Sequence, residues 1–181
     1  MKKSLLLLSA ILALSSASAF ADALLLTVNA TPYDRQMARI RPVLTDSGSA
    51  SGDKTSLAVV NQWMTDLRDI PYGYQLVWKT PSEVESRKPA DCKGKAVTLY
   101  KRMRENGASN VRLVIGKRTP TSRMTHAWLV WETSNGSFVL DPTFDYSAVR
   151  SEKIGNSSYV PLYAYSGSQK FRAASGLVAQ N

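Results

Sequence analysis

Apolar positions recur at helical spacing twice in this chain, and they alternate at strand spacing after the second run. Leu57, Val60, Met64 and Leu67 step by three and four residues, with Trp63 on the same face. Thr55 or Ser56 stands ahead of them as a cap and Pro71 stands behind as a stop, so the pattern predicts one helix. A second begins at Asp91, which suits the N-cap. Cys92, Ala96, Leu99, Tyr100 and Met103 share one face while Lys93, Lys101, Arg104 and Glu105 fall elsewhere, and Gly107 supplies the stop. Strand spacing follows: Val111, Leu113 and Ile115 alternate, Met124 to Glu132 forms a second candidate and Ser137 to Leu140 a third. Asn135-Gly136 marks a hairpin between the last two, and the basic loop "GKRTPTSR" joins the first two. Thr80-Pro81-Ser82-Glu83 opens a short helix, and Thr45 to Ser56, rich in Ser and Gly, reads as a loop. Ala23 to Val28 fits a short strand or an unstructured start equally well. Helices first and antiparallel strands later predict an α+β fold, with helices packed on one sheet.

The first residues belong to another pattern. Lys2 and Lys3 precede an uncharged run from Ser4 to Phe20 that ends in small residues, the order of a secretory signal peptide. Residues 1–21 are therefore expected to be removed, leaving 22–181 as one domain of about 160 residues with a real core. No other stretch approaches the ~20 apolar residues of a membrane crossing, so stable membrane insertion is not expected. The chain carries 23 Lys+Arg against 14 Asp+Glu, a formal charge of +9. Export removes most contact with nucleic acid, so that charge reads as solubility rather than as a nucleic-acid site. One cysteine allows no internal disulfide, yet it leaves an oxidisable thiol in an oxidising compartment.

That thiol lies where chemistry is favoured. A helix N-terminus stabilises a thiolate, the reactive form of cysteine, although Asp91 works against it unless its carboxylate is occupied by capping. A buried, inert cysteine on an apolar helix face is the competing reading. His126, the only histidine, changes the balance, because a cysteine nucleophile needs a base and imidazole suits that task near neutrality. Asp141, at the end of the next strand in "FVLDPTF", is the candidate to orient the ring. A strict two-residue turn at Asn135-Gly136 would put Asp141 opposite Val130, roughly 13 Å along the strand from His126. The triad therefore requires a wider loop or a bulge, and a tight turn would leave Asp141 structural.

With these residues in view, "WKTPSEV", "ADCKGKAV", "THAWLVWE" and "VLDPTF", followed by "YVPLYAY", resemble the bacterial transglutaminase-like cysteine proteinases, within the transglutaminase-like (papain-like) fold. The likeness runs from about Trp63 to Phe171. It implies a catalytic helix packed on an antiparallel sheet, with Cys92 as nucleophile, His126 as base and Asp141 as orienter. It also implies a periplasmic peptidase, with full secretion left open, acting as a monomer on proteins or peptides of the cell envelope. The backbone amide of Cys92 would be one oxyanion donor, and Gln75 or the Trp78 indole the second. Calcium-dependent members place acidic residues after the Asp-Cys pair, but here Lys93 and Gly94 follow. An ammonium repels a hard cation and would leave Asp91 without its usual partners, so no cofactor is expected. Transglutaminase-type cross-linking, a peptidoglycan amidase and an inactive binding module are the alternatives.

Overall fold

The computed structural model describes residues 25–48, 55–155 and 157–174; the expected signal peptide, 1–21, lies outside them, as do 49–54 of the Ser/Gly-rich segment. In chain order the elements are β1 (Leu25–Thr27), a 3-10 turn (Ala38–Ile40) running into α1 (Arg41–Thr45), α2 (Leu57–Arg68), α3 (Pro81–Glu85), α4 (Cys92–Glu105), β2 (Val111–Lys117), β3 (His126–Thr133), β4 (Gly136–Leu140), β5 (Val149–Arg150), a 3-10 turn (Ser151–Lys153), β6 (Val160–Ser166) and β7 (Gln169–Ala173). The strands form one antiparallel sheet in the order β1-β7-β6-β2-β3-β4-β5. The α+β expectation holds. Of the segment Ala23 to Val28, residues 23 and 24 lie outside the described residues, and Leu25–Thr27 form a strand that joins the sheet through β7.

Local chemistry explains the helix ends. The Ser56 hydroxyl accepts the Val59 N–H at 3.3 Å, and the Asp91 carboxylate accepts the Gly94 N–H at 3.2 Å. Gly107 closes α4 at φ 88°, and the bonds from Gly107 N–H to Arg104 O and from Ala108 N–H to Met103 O satisfy the last carbonyls. The buried Lys95 ammonium donates to Ile70 O at 2.6 Å and Arg68 O at 3.3 Å, tying α4 to the end of α2. Burial pushes its pKa down, but those carbonyls supply the hydrogen bonds that water would have made.

Two apolar clusters sandwich the sheet. Val60, Met64 and Leu67 of α2 and Ala96, Leu99 and Met103 of α4 pack against Leu113, Leu129 and Leu140. Each fully buried leucine contributes about 1.5–3 kcal/mol. On the opposite face Val114, Trp128, Val130, Val139, Tyr159 and Ala164 form a smaller cluster. Because β3 is covered on both faces, its first six residues are all buried.

The hairpin departs from expectation in a way that matters. Thr133 pairs with Gly136 and Leu129 with Leu140, so the tight turn is centred on Ser134-Asn135, one residue earlier than Asn135-Gly136. Thr133 causes this: its hydroxyl accepts the Asn135 N–H at 3.1 Å and donates to Gly136 O at 3.0 Å. The register moves by two residues, which brings Asp141 level with Trp128 rather than Val130. No wide loop or bulge is needed in the hairpin.

Candidate active site

Cys92 is the first residue of α4, and its position is set by the residue before it. The Asp91 carboxylate is buried: one oxygen caps the helix, and the other accepts the Gln75 N–H at 3.1 Å and an ion pair from Lys93. The Lys93 ammonium also donates to Gln75 O at 3.0 Å and lies 5.1 Å over the Tyr74 ring. In place of the usual partners, the lysine that follows Cys92 is itself the partner of Asp91. It neutralises the charge beside the thiol and fastens the 72–78 segment to the helix start.

Opposite stands the beginning of β3. Cys92 and His126, each less than a tenth exposed, line one cleft of about 160 Å³ together with Trp78, Lys93, Met124 and Thr125. A larger hollow of about 770 Å³, bordered by Ser56, Asn110 and Glu132, contains neither the thiol nor the imidazole.

His126 Nε2 lies 2.7 Å from Asp141 Oδ2, leaving Nδ1 as the ring nitrogen free to face the thiol. The side chains span the two residues, about 7 Å, that separate Asp141 from His126 in the register. Asp141 is fully buried; its Oδ1 accepts the Thr143 N–H at 3.0 Å, and the Tyr159 hydroxyl lies 2.9 Å from Oδ2. Burial alone would drive the imidazolium pKa down. The hydrogen bonds to Asp141 and Cys92, with their charges, overcome that, and His126 is pushed up to about 9. Trp128 stacks on the ring at 6.0 Å and Phe144 tilts against it at 5.3 Å. Cys92, His126 and Asp141 are thus brought together, and Trp128 is both fully buried and in contact with the imidazole.

The two candidates for a further donor separate. Gln75 spends its backbone N–H on Asp91 and its carbonyl on Lys93, and the residue does not line the cleft. Trp78 does, and its buried Nε1 has no hydrogen-bond partner among the described residues. Its carbonyl accepts the Arg39 guanidinium at 3.3 Å, and the same guanidinium reaches Glu83 at 3.0 Å. Glu83 in turn accepts from Thr80, whose backbone N–H and hydroxyl, with Arg39, hold its pKa down at about 2. Sequence reading missed Tyr159, Asp145 and Phe144 around the imidazole. The only available signal was the position of Tyr159 at the head of "YVPLYAY".

The sequence matches no family model and no curated protein. Solved structures of Legionella pneumophila LapG are similar. The calcium-bound form superposes with a TM-score of 0.54 at 12% identity, over 81% of this chain and 82% of LapG. The EGTA-treated form gives 0.56 at 13%, over 81% of each chain. The likeness shows the transglutaminase-like α+β fold. The residues beside the thiol of this chain are poorly suited to a calcium ion. Both Asp91 oxygens are engaged by donors, and a positive ammonium sits against one of them. Among those residues no helix is long and apolar enough to cross a membrane.

Proposed function

We propose that this chain is an exported transglutaminase-like cysteine peptidase that hydrolyses amide bonds of envelope or surface proteins through Cys92, His126 and Asp141. The observation that carries the reading is the buried Nε2 to Oδ2 contact of 2.7 Å, made by an imidazole that shares its cleft with the lone thiol. The fold shared with LapG, a periplasmic cysteine protease, supports the reaction class. Export rests on the order of residues 1–21.

In this reading Nδ1 of His126 takes the thiol proton, and the sulfur attacks the amide carbon. Asp141 keeps Nε2–H in place and stabilises the imidazolium. The developing oxyanion accepts from the Cys92 N–H at the helix start and from Trp78 Nε1, whose hydrogen bond is otherwise unmade. Collapse expels the amine, which leaves with the imidazolium proton, and the acyl group remains as a thioester. Water then gives a proton to the imidazole and attacks the thioester; the acid departs and the proton returns to sulfur. No step uses calcium. Lys93 supplies the positive charge at Asp91 from within the chain.

The test compares wild type with Cys92→Ala on envelope extract, reading new protein termini by mass spectrometry. New termini are expected with wild type alone. Identical sets from both proteins, or none from either, overturn the reading.

A further inference from the structure

Tyr159 occupies a backbone conformation that few side chains adopt. Its φ is 53°, in the left-handed region, where a bulky residue is strained. The surroundings enforce it: its N–H donates to Arg118 O at 2.8 Å, and its ring meets Trp128 edge-on at 5.3 Å. The Arg118 guanidinium lies 5.7 Å over the same ring and 4.2 Å over Phe144, which itself contacts His126. A phenylalanine would fill this space equally well. What tyrosine adds is a hydroxyl aimed between two carboxylates, 2.9 Å from Asp141 Oδ2 and 3.1 Å from Asp145 Oδ2.

We propose that Tyr159 is a positioning residue of the site: its hydroxyl, lodged between Asp141 and Asp145, locks the Asp141 carboxylate in the one rotation that keeps Oδ2 on His126. The proposal rests on the catalytic reading of Cys92, His126 and Asp141. The Thr143 N–H fixes Oδ1, and without a second anchor on Oδ2 the carboxylate pivots about that bond and releases the ring. The single hydroxyl proton points to one carboxylate at a time, and a proton on Asp145 would direct it to Asp141. Asp145 then donates to the Tyr159 oxygen and Tyr159 donates to Asp141. Burial and the neighbouring Asp141 charge both push the Asp145 pKa up, which favours that chain; the Tyr159 hydrogen bond, Arg118 and His126 oppose it. The imidazole is thereby connected through Asp141 and Tyr159 to a residue that no motif singled out.

The chain has one histidine and one cysteine, so an imidazole N–H resonance and a thiol label each report a single site. Tyr159→Phe keeps the ring and removes the hydroxyl. The His126 Nε2–H resonance, expected to exchange slowly in wild type, should disappear into solvent exchange in this variant. Iodoacetamide labelling of Cys92 is expected to slow about tenfold, the effect of losing one hydrogen bond of ~1.4 kcal/mol. Asp145→Asn, which still donates through its amide, should keep both readouts near wild type. Asp145→Leu cannot donate; it leaves the Tyr159 ring in place and should weaken both, giving a second test should Tyr159→Phe fold poorly. An Nε2–H resonance and a labelling rate unchanged in both Tyr159→Phe and Asp145→Leu overturn the proposal. The resonance needs no substrate. If it vanishes in Tyr159→Phe while wild-type Cys92 labels no faster than free cysteine, the clamp stands and the peptidase reading falls.

Discussion

On the helix wall of the cleft, Cys92 is placed by its neighbours: Asp91 caps the turn that Cys92 begins, and Lys93 pairs with Asp91. On the sheet wall, His126 is placed by Asp141, fifteen residues away, and Asp141 in turn by Tyr159, eighteen further on. The first wall is assembled largely by local geometry that forms with α4. The second exists only once β3, β4 and the segment before β6 have found their register. The thiol presented by a helix and the imidazole presented by a finished sheet meet only in the folded protein, so the proposed nucleophile and base cannot act before folding is complete.

The comparison predicts that pH acts mainly through the sheet wall. The His126 pKa is raised from 6.5 to about 9 in the fold. Its contribution is therefore fully present below about pH 6.5 and is lost as pH rises through about 9, a change on the order of 3 kcal/mol. Urea unfolding of wild type and His126→Gln at successive pH values should show the wild-type advantage shrinking across that window. A constant difference breaks the assignment of the shift to this residue.

A smaller effect is expected from the helix wall. Lys93→Met removes the cation paired with Asp91 but leaves the Gly94 and Gln75 donors, so unfolding free energy should fall by about 2 kcal/mol. Excess EGTA should leave the thermal melt of wild type where it was, because the cation at Asp91 is tethered. A melt that moves with EGTA, or an unchanged Lys93→Met variant, removes Lys93 from this role.

The same contrast explains what could be read from sequence. Asp91, Cys92 and Gly107 announce α4 because caps and stops act within a few residues, and the helix runs from Cys92 to Glu105 as that pattern requires. The hairpin was legible but its centre was not. Asn135-Gly136 is a strong turn signal, yet the Thr133 hydroxyl draws the turn back by one residue, and that step carries Asp141 toward His126. β6 gave no strand signal: Val160 to Tyr163 are all half-buried, and Pro161 lies in a strand paired with β2. Pro161 is tolerated where the register shifts between Ile115 and Gly116. There a side-chain carbon on Gly116 would meet Val160 O at 2.1 Å, so only glycine fits beside His126. The role of Tyr159 was not legible because it depends on a positive φ and on partners from a distant hairpin.

Whether Cys92 and His126 act as a coupled pair is read from the iodoacetamide labelling rate of Cys92 near neutral pH in wild type and in His126→Gln. For a coupled pair, wild-type labelling is faster than that of free cysteine and drops about tenfold or more in the variant. Equal rates in the two proteins would contradict it.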